Sequence, residues 1–157
     1  MEKTNELNKF LSYIHMGMSI YRIYYEHAVK LKNEKLINLI VEIQEIFKTH
    51  EEKITKVINN FGEKATKSLT AAGKFGVCME KMKLLKTSFD ICINAIKATD
   101  MGMISSIKFL NDNKHLSKEM KEYIKNVIND YKKIKDQLIE YVLKELIVEK
   151  KENNYSK

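Results

Sequence analysis

The stretch from Asn33 to Gly62 leaves a folding chain few options. Within it Leu36, Ile40, Ile43, Phe47, His50, Ile54, Val57 and Phe61 recur at alternating steps of four and three. Residues three and four apart lie above one another on an α-helix, so this spacing draws a single stripe down one face. A helix with one long apolar stripe buries it against other helices lying lengthwise, and the stretch therefore predicts a bundle. One member of the stripe is polar. His50 stands where a hydrocarbon belongs, and it needs either a buried partner or a ligand.

Nothing elsewhere in the chain resists long helices. There is no proline and there are only five glycines in 157 residues, and bounded alternating β-branched runs are missing. The class is all-α, and the length suits one core, expected over residues 1–147. The segment 148–157, which includes EKKENNYSK, lacks apolar periodicity and should fray.

The first helix is expected to begin near Thr4 or Asn5 and to run to about Leu31. Its stripe is Leu7, Leu11, Ile14, Met18, Tyr21, Tyr25 and Ala28, flanked by Phe10, Tyr13, Gly17, Ile20, Tyr24 and Leu31, with Met16 and Ile23 beyond. The apolar arc is about twice what one core face requires, so either the 63–85 segment or a second copy must cover the excess. A homodimer through this helix is the expectation. Lys32-Asn33 is a turn too short for anything but an antiparallel hairpin, and Gly62 is placed as a left-handed helix end. Glu63 to Gly76 reads as a crossover, followed by a short helical piece from Val77 to Leu85. Thr87 or Ser88 caps a third long helix with stripe Phe89, Ile93, Ile96, Asp100, Met103, Ile107 and Leu110, in which Asp100 is polar as His50 is in its own. Residues 111–115 form a turn. Ser117 caps a fourth helix with stripe Met120, Ile124, Val127, Tyr131, Ile134, Leu138 and Tyr141.

The formal charge of +7 and pI near 9.2 raise the question of nucleic acid or an anionic surface. Arg22 is the only arginine, and the lysines mix with glutamates along every helix. The charge therefore reads as a solvated face, with no nucleic-acid and no membrane partner expected. The polar N-terminus and the lack of a long uncharged apolar window lead to a cytoplasmic expectation. Cys78 and Cys92 are fourteen residues apart without a C-x-x-C companion, which excludes a zinc knuckle or redox pair and leaves two small buried hydrophobes. Nucleophile motifs, phosphate loops and H-E-x-x-H are missing. The eight methionines and eight tyrosines fall mostly on stripe positions, where packing accounts for them. His15 and His115 are expected to be exposed, and His27 to sit in the last turn of its helix.

The expected architecture is an up-down four-helix bundle of two helical hairpins with a longer connection between them, and it resembles the ferritin-like superfamily, whose di-iron members draw a Glu from each of two helices and a Glu-x-x-His from each of the other two. The run Met16-Gly17-Met18-Ser19-Ile20-Tyr21 and the crossover Gly73-Lys74-Phe75-Gly76 are similar to a small bacterial ferritin-like domain family of unknown function. Transferring the ligands residue by residue mostly fails. The second helix offers Phe47-Lys48-Thr49-His50, with a ring in place of the carboxylate. The fourth offers Tyr131 with Ile134, or Asp130 with Lys133. On the first, Glu26 points to the polar face and Gly17 or Met18 holds the expected level. Asp100 alone could stand in on the third.

Two iron ions need several bridging carboxylates. One Asp and one His could at most hold a single divalent ion, completed by the Tyr21 or Tyr131 phenol and water. The expectation is instead a buried polar layer in which His50, Asp100 and a tyrosine satisfy one another, with no cofactor and no metal. On this reading the protein is a non-enzymatic structural or interaction protein with a degenerate di-iron centre. The rival is a bundle that binds a metal or a small ligand through His50 and Asp100.

Overall fold

A computed structural model of the chain describes residues 2–147, with side chains from Thr4 onward. The segment 148–157, expected to fray, lies outside the described residues. The described chain is all helical: α1 (Glu2–Lys30), α2 (Glu34–Asn60), α3 (Ala71–Lys81), α4 (Ser88–Asp112) and α5 (Lys118–Tyr141), the last continuing into a π-helical turn, Val142–Leu146. Helix α1 starts earlier than expected because Glu2, Lys3 and Glu6 all favour helix, and Thr4 is buried rather than serving as the cap.

Asn33 organises one end of the bundle. Lys32 turns left-handed (φ 55°) to reverse the chain, and the Asn33 side chain then accepts from the Leu36 backbone N–H at 3.1 Å to cap α2. The same side chain donates to Ser88 Oγ and to the Tyr141 hydroxyl, each at 2.8 Å. The end of α1, the start of α2, the start of α4 and the end of α5 therefore meet at one level. At the other end Phe10 packs on Phe109 with ring centroids 5.1 Å apart, and Glu6 meets His115. Helices α1 and α5 run one way, α2 and α4 the other, so the long helices do not alternate in the expected up-down order: the crossover carries the chain back to the end where α2 began. Each long helix is antiparallel to both neighbours, with α1 beside α2 and α4, and α5 beside the same two.

Helix α2 stops where Gly62 adopts φ 77°, as its position predicts. Its stripe drifts from the expected one: Ile58 is fully buried while Phe61 is 61% exposed. A straight α-helix has 3.6 residues per turn, not 3.5, so a strict four-three count slides off the core after about five turns.

The connection to α4 has to return the full length of the bundle, and it does so along the outside of α1. Helix α3 begins at Ala71, six residues before the expected start. Thr70 caps it by accepting from the Gly73 N–H at 3.0 Å, and Ala71-Ala72 is a strong helix-forming start. Gly73 and Gly76 face Met16, whose side chain occupies the space where a Cβ at Gly76 would sit. Glu80 fastens the same helix. Its carboxylate is buried and accepts from the Tyr24 hydroxyl at 2.6 Å. The wide apolar arc of α1 is thus covered by its own chain, and that arc no longer calls for a second copy.

Helix α4 departs furthest from expectation. Thr87 and Asp90 close a capping box at its start, but the buried face is Ile91, Cys92, Ala95, Thr99, Ser106 and Phe109. The expected stripe lies to one side of it: Phe89 and Ile107 are exposed, and Asp100 sits at the surface, where Lys135 Nζ reaches it at 2.8 Å. Large aromatic side chains from α1 and α5 fill the space above small residues of α4, and only small residues permit that approach. The α5 stripe is buried as expected from Met120 to Leu138, with Tyr123 added. Cys92 is buried, whereas Cys78 is exposed on the outer side of α3, a helix that packs chiefly on α1.

Candidate functional site: a buried Tyr-His-Asp link

His50 finds its partners on α5. Its Nδ1 lies 2.7 Å from the Tyr123 hydroxyl and its Nε2 lies 2.7 Å from Asp130 Oδ2. These residues are seven apart on α5, two turns along one face, and α2 brings the imidazole to a level between them. A carboxylate only accepts, so Nε2 carries the proton and donates to Asp130. The Nδ1 lone pair is left to accept from the Tyr123 O–H. Burial holds the His50 pKa below its ordinary value, against a pull upward from Asp130, which favours this neutral form. Burial, reinforced by the Asp130 charge, pushes the Tyr123 phenol up and keeps its proton in place. Both imidazole nitrogens are committed.

The expected set of His50, Asp100, Tyr21 and Tyr131 does not assemble. Asp100 is on the outside with Lys135. Tyr21 bonds to Thr99 Oγ1 and reaches the Ala95 carbonyl at 3.4 Å. Tyr131 packs on Phe47 with centroids 5.7 Å apart and lies over Gly102. Phe47 in turn stacks on Tyr21 at 5.3 Å, and Tyr21 meets Tyr24 edge-on. This aromatic column fills the middle of the bundle. Burial pushes the Tyr21 and Tyr131 phenols up, so they resist the ionisation that a metal ligand would require.

The donor set fails the di-iron test on its own chemistry. No three His, Cys, Asp or Glu side chains converge among the described residues, and the interior level that would hold two cations is packed with rings.

Beside the link, Tyr123 forms one wall of an open groove of about 390 Å³ with Leu7, Val57, Phe61, Leu116 and Met120. Lys53 stands 4.5 Å above the Tyr123 ring, a cation–π arrangement. His15, expected to be exposed, instead has Nε2 2.9 Å from the Thr66 carbonyl and is partly covered by the crossover. His115 is exposed beside Glu6, as expected.

Sequence reasoning picked out His50, considered Asp130 only as a metal ligand paired with Lys133, and missed Tyr123 and Glu80. Tyr123 precedes a stripe residue and Asp130 precedes Tyr131, so each sits at the edge of the apolar face, where a polar group can still reach a partner on the next helix. Glu80 lies seven after Gly73 and three after Val77, on the inner face of α3. No protein-family model, curated protein or solved structure matches the chain.

Proposed function

We propose that the protein is a non-enzymatic structural or interaction protein built on a ferritin-like scaffold whose di-iron centre has given way to a packed interior. One observation carries the reading: both nitrogens of His50 are engaged within the chain, one by Tyr123 and one by Asp130, leaving no lone pair for a ligand. The return of the crossover along the outside of two hairpins supports the scaffold kinship. The link ties α2 to α5 as a buried polar pair does when it selects one register over its neighbours. Metal analysis of the purified protein and of His50→Ala tests it. The expected result is no stoichiometric iron, zinc or manganese in either. A stoichiometric metal that disappears in the variant would overturn it.

A second reading, a small-ligand carrier, is favoured by the groove beside Tyr123, whose volume falls in the range of ligand pockets. On that reading a compound co-purifies, is seen by native mass spectrometry, and is lost in Met120→Trp, which fills the groove.

A further inference from the structure

Helix α3 is apolar on both sides. At about 100° per residue, Gly73, Val77 and Glu80 face α1, while Phe75, Cys78, Met79 and Met82 fall on the opposite side. That outer side is bare: Phe75 is 68% exposed and Met82 74%, and Leu84, just beyond the helix, is 79% exposed. Lys74 and Lys81 run along one flank of this crest and Lys86 follows it, while Lys83 turns back to Glu80 and Asn94. The charge is concentrated here as well. From Glu63 to Lys86 there are six lysines against Glu63 and Glu80, which places four of the seven net positive charges in this connection. Glu80 is buried against Tyr24, so Glu63 is the only acid the connection exposes.

We infer that α3 and the residues through Leu84 dock the protein onto an anionic lipid surface, lying flat in the headgroup region. It extends the interaction role proposed above by naming the partner, and metal analysis reports on that role independently. A helix with an apolar crest and lysines alongside is the kind that lies in a membrane interface, with the rings and thioethers among acyl chains and the ammonium groups among phosphates. Lysine stems reach past the apolar crest to keep their charges at headgroup level. No helix among the described residues is long and apolar enough to cross a membrane, so the contact is peripheral. The crest is exposed along its length. A second copy meeting it face to face would press the lysine flanks of both copies together. The Tyr24–Glu80 bond and the seating of Gly73 and Gly76 on Met16 hold the crest outward before any surface arrives.

Sedimentation of the whole protein with vesicles tests this. The protein is expected to pellet with phosphatidylcholine vesicles containing phosphatidylserine, not with phosphatidylcholine alone, and to be released by salt. The double variant Phe75→Ser with Met82→Ser replaces exposed side chains only, so its thermal melt should match the wild type while vesicle affinity falls roughly ten-fold or more. Lys74→Gln and Lys81→Gln should each weaken binding about five-fold. Leu143→Ser, exposed on the side of the bundle diagonal to α1, should change nothing. Failure of the wild type to prefer anionic vesicles would overturn the inference. So would unchanged binding by the double serine variant, or a dimer in solution that this variant converts to monomer while neither form pellets.

Discussion

The two sides of the bundle solve the same packing problem in opposite ways. Between α2 and α5, large side chains come from both helices. Ile43, Phe47 and Ile54 face Ile124, Val127 and Tyr131 in the core, and the one polar break, His50, is closed by Tyr123 and Asp130. Between α1 and α4, size is unequally divided. In the middle of the bundle α1 contributes Tyr21 and Tyr24, whereas α4 answers with Cys92, Ala95, Thr99 and Ser106; the large buried residues of α4, Ile91 and Phe109, lie toward its ends, Phe109 against Phe10. An interior at crystal density needs matched volumes, not two large faces, so a helix can be central to a core while its buried face looks weakly hydrophobic.

The ring that joins the two sides is Phe47, which stacks on Tyr21 of α1 and Tyr131 of α5. Phe47→Ala should be the most damaging single change, about 3–5 kcal/mol by urea unfolding, because it removes the ring and leaves a cavity that rigid neighbours cannot fill. A loss below about 1 kcal/mol would mean that the two sides pack independently.

The His50 link comes next. His50→Ala should cost about 2 kcal/mol, since the Tyr123 hydroxyl loses its acceptor in a buried position. It should also change the response to acid. Burial depresses the folded pKa of His50 below its ordinary 6.5, so in the window beneath that value the unfolded chain binds more protons than the folded one. Stability from this group is therefore complete above pH 6.5 and is lost as the pH falls toward the folded value, with a slope of at most about 1.4 kcal/mol per unit. Urea unfolding of wild type and His50→Gln across that window checks it, and parallel curves would assign the acid sensitivity elsewhere.

This contrast also explains what could be read from the sequence. The α5 stripe and most of the α2 stripe were legible because large apolar residues at helical spacing can hardly face anything but a core. The buried face of α4 was not, because a hydropathy pattern ranks Ile107 and Phe89 above Ala95 and Thr99, and only the shape of the opposing helix reverses that order. The charge of Asp100 was read as a site because it shared a row with Ile96 and Met103. Its true level is one step around the helix from the small face. Of the three residues in the candidate site, His50 alone stood out. Its partners were hidden because a Tyr and an Asp seven apart on a lysine-rich helix carry no mark until the imidazole opposite supplies one.

Two glycines sharpen the comparison further. A Cβ on Gly17 would lie 2.6 Å from Phe47 Cε1, and that ring is held between Tyr21 and Tyr131. Gly17→Ala should therefore destabilise by about 1–2 kcal/mol, the overpacking outweighing the gain in helix propensity. A Cβ on Gly102 would lie 3.4 Å from Tyr131 Cζ, an ordinary contact on the side where α4 leaves space. Gly102→Ala should stabilise by about 0.5–1 kcal/mol. Thermal melts of the pair separate them by sign, and a shift in the same direction would show that α4 leaves no more space beside Tyr131 than α1 leaves beside Phe47.

Asp100 gives the smallest effect and the most direct test of where the core lies. Its carboxylate meets Lys135 at 2.8 Å with 41% of the side chain open to water. Water and salt screen such a pair, so Asp100→Asn should change stability by less than about 0.5 kcal/mol, and added salt should erase the difference. Thr99 is the adjacent residue, and its hydroxyl bonds both to Tyr21 and to the Ala95 carbonyl at 2.7 Å. Thr99→Val keeps the volume but leaves the Tyr21 hydroxyl only its 3.4 Å contact with the Ala95 carbonyl, at a cost of about 1–3 kcal/mol that salt leaves untouched. If Asp100→Asn proved the costlier of these neighbours, α4 would have to be turned by one residue and the large-on-small packing of that side would be wrong.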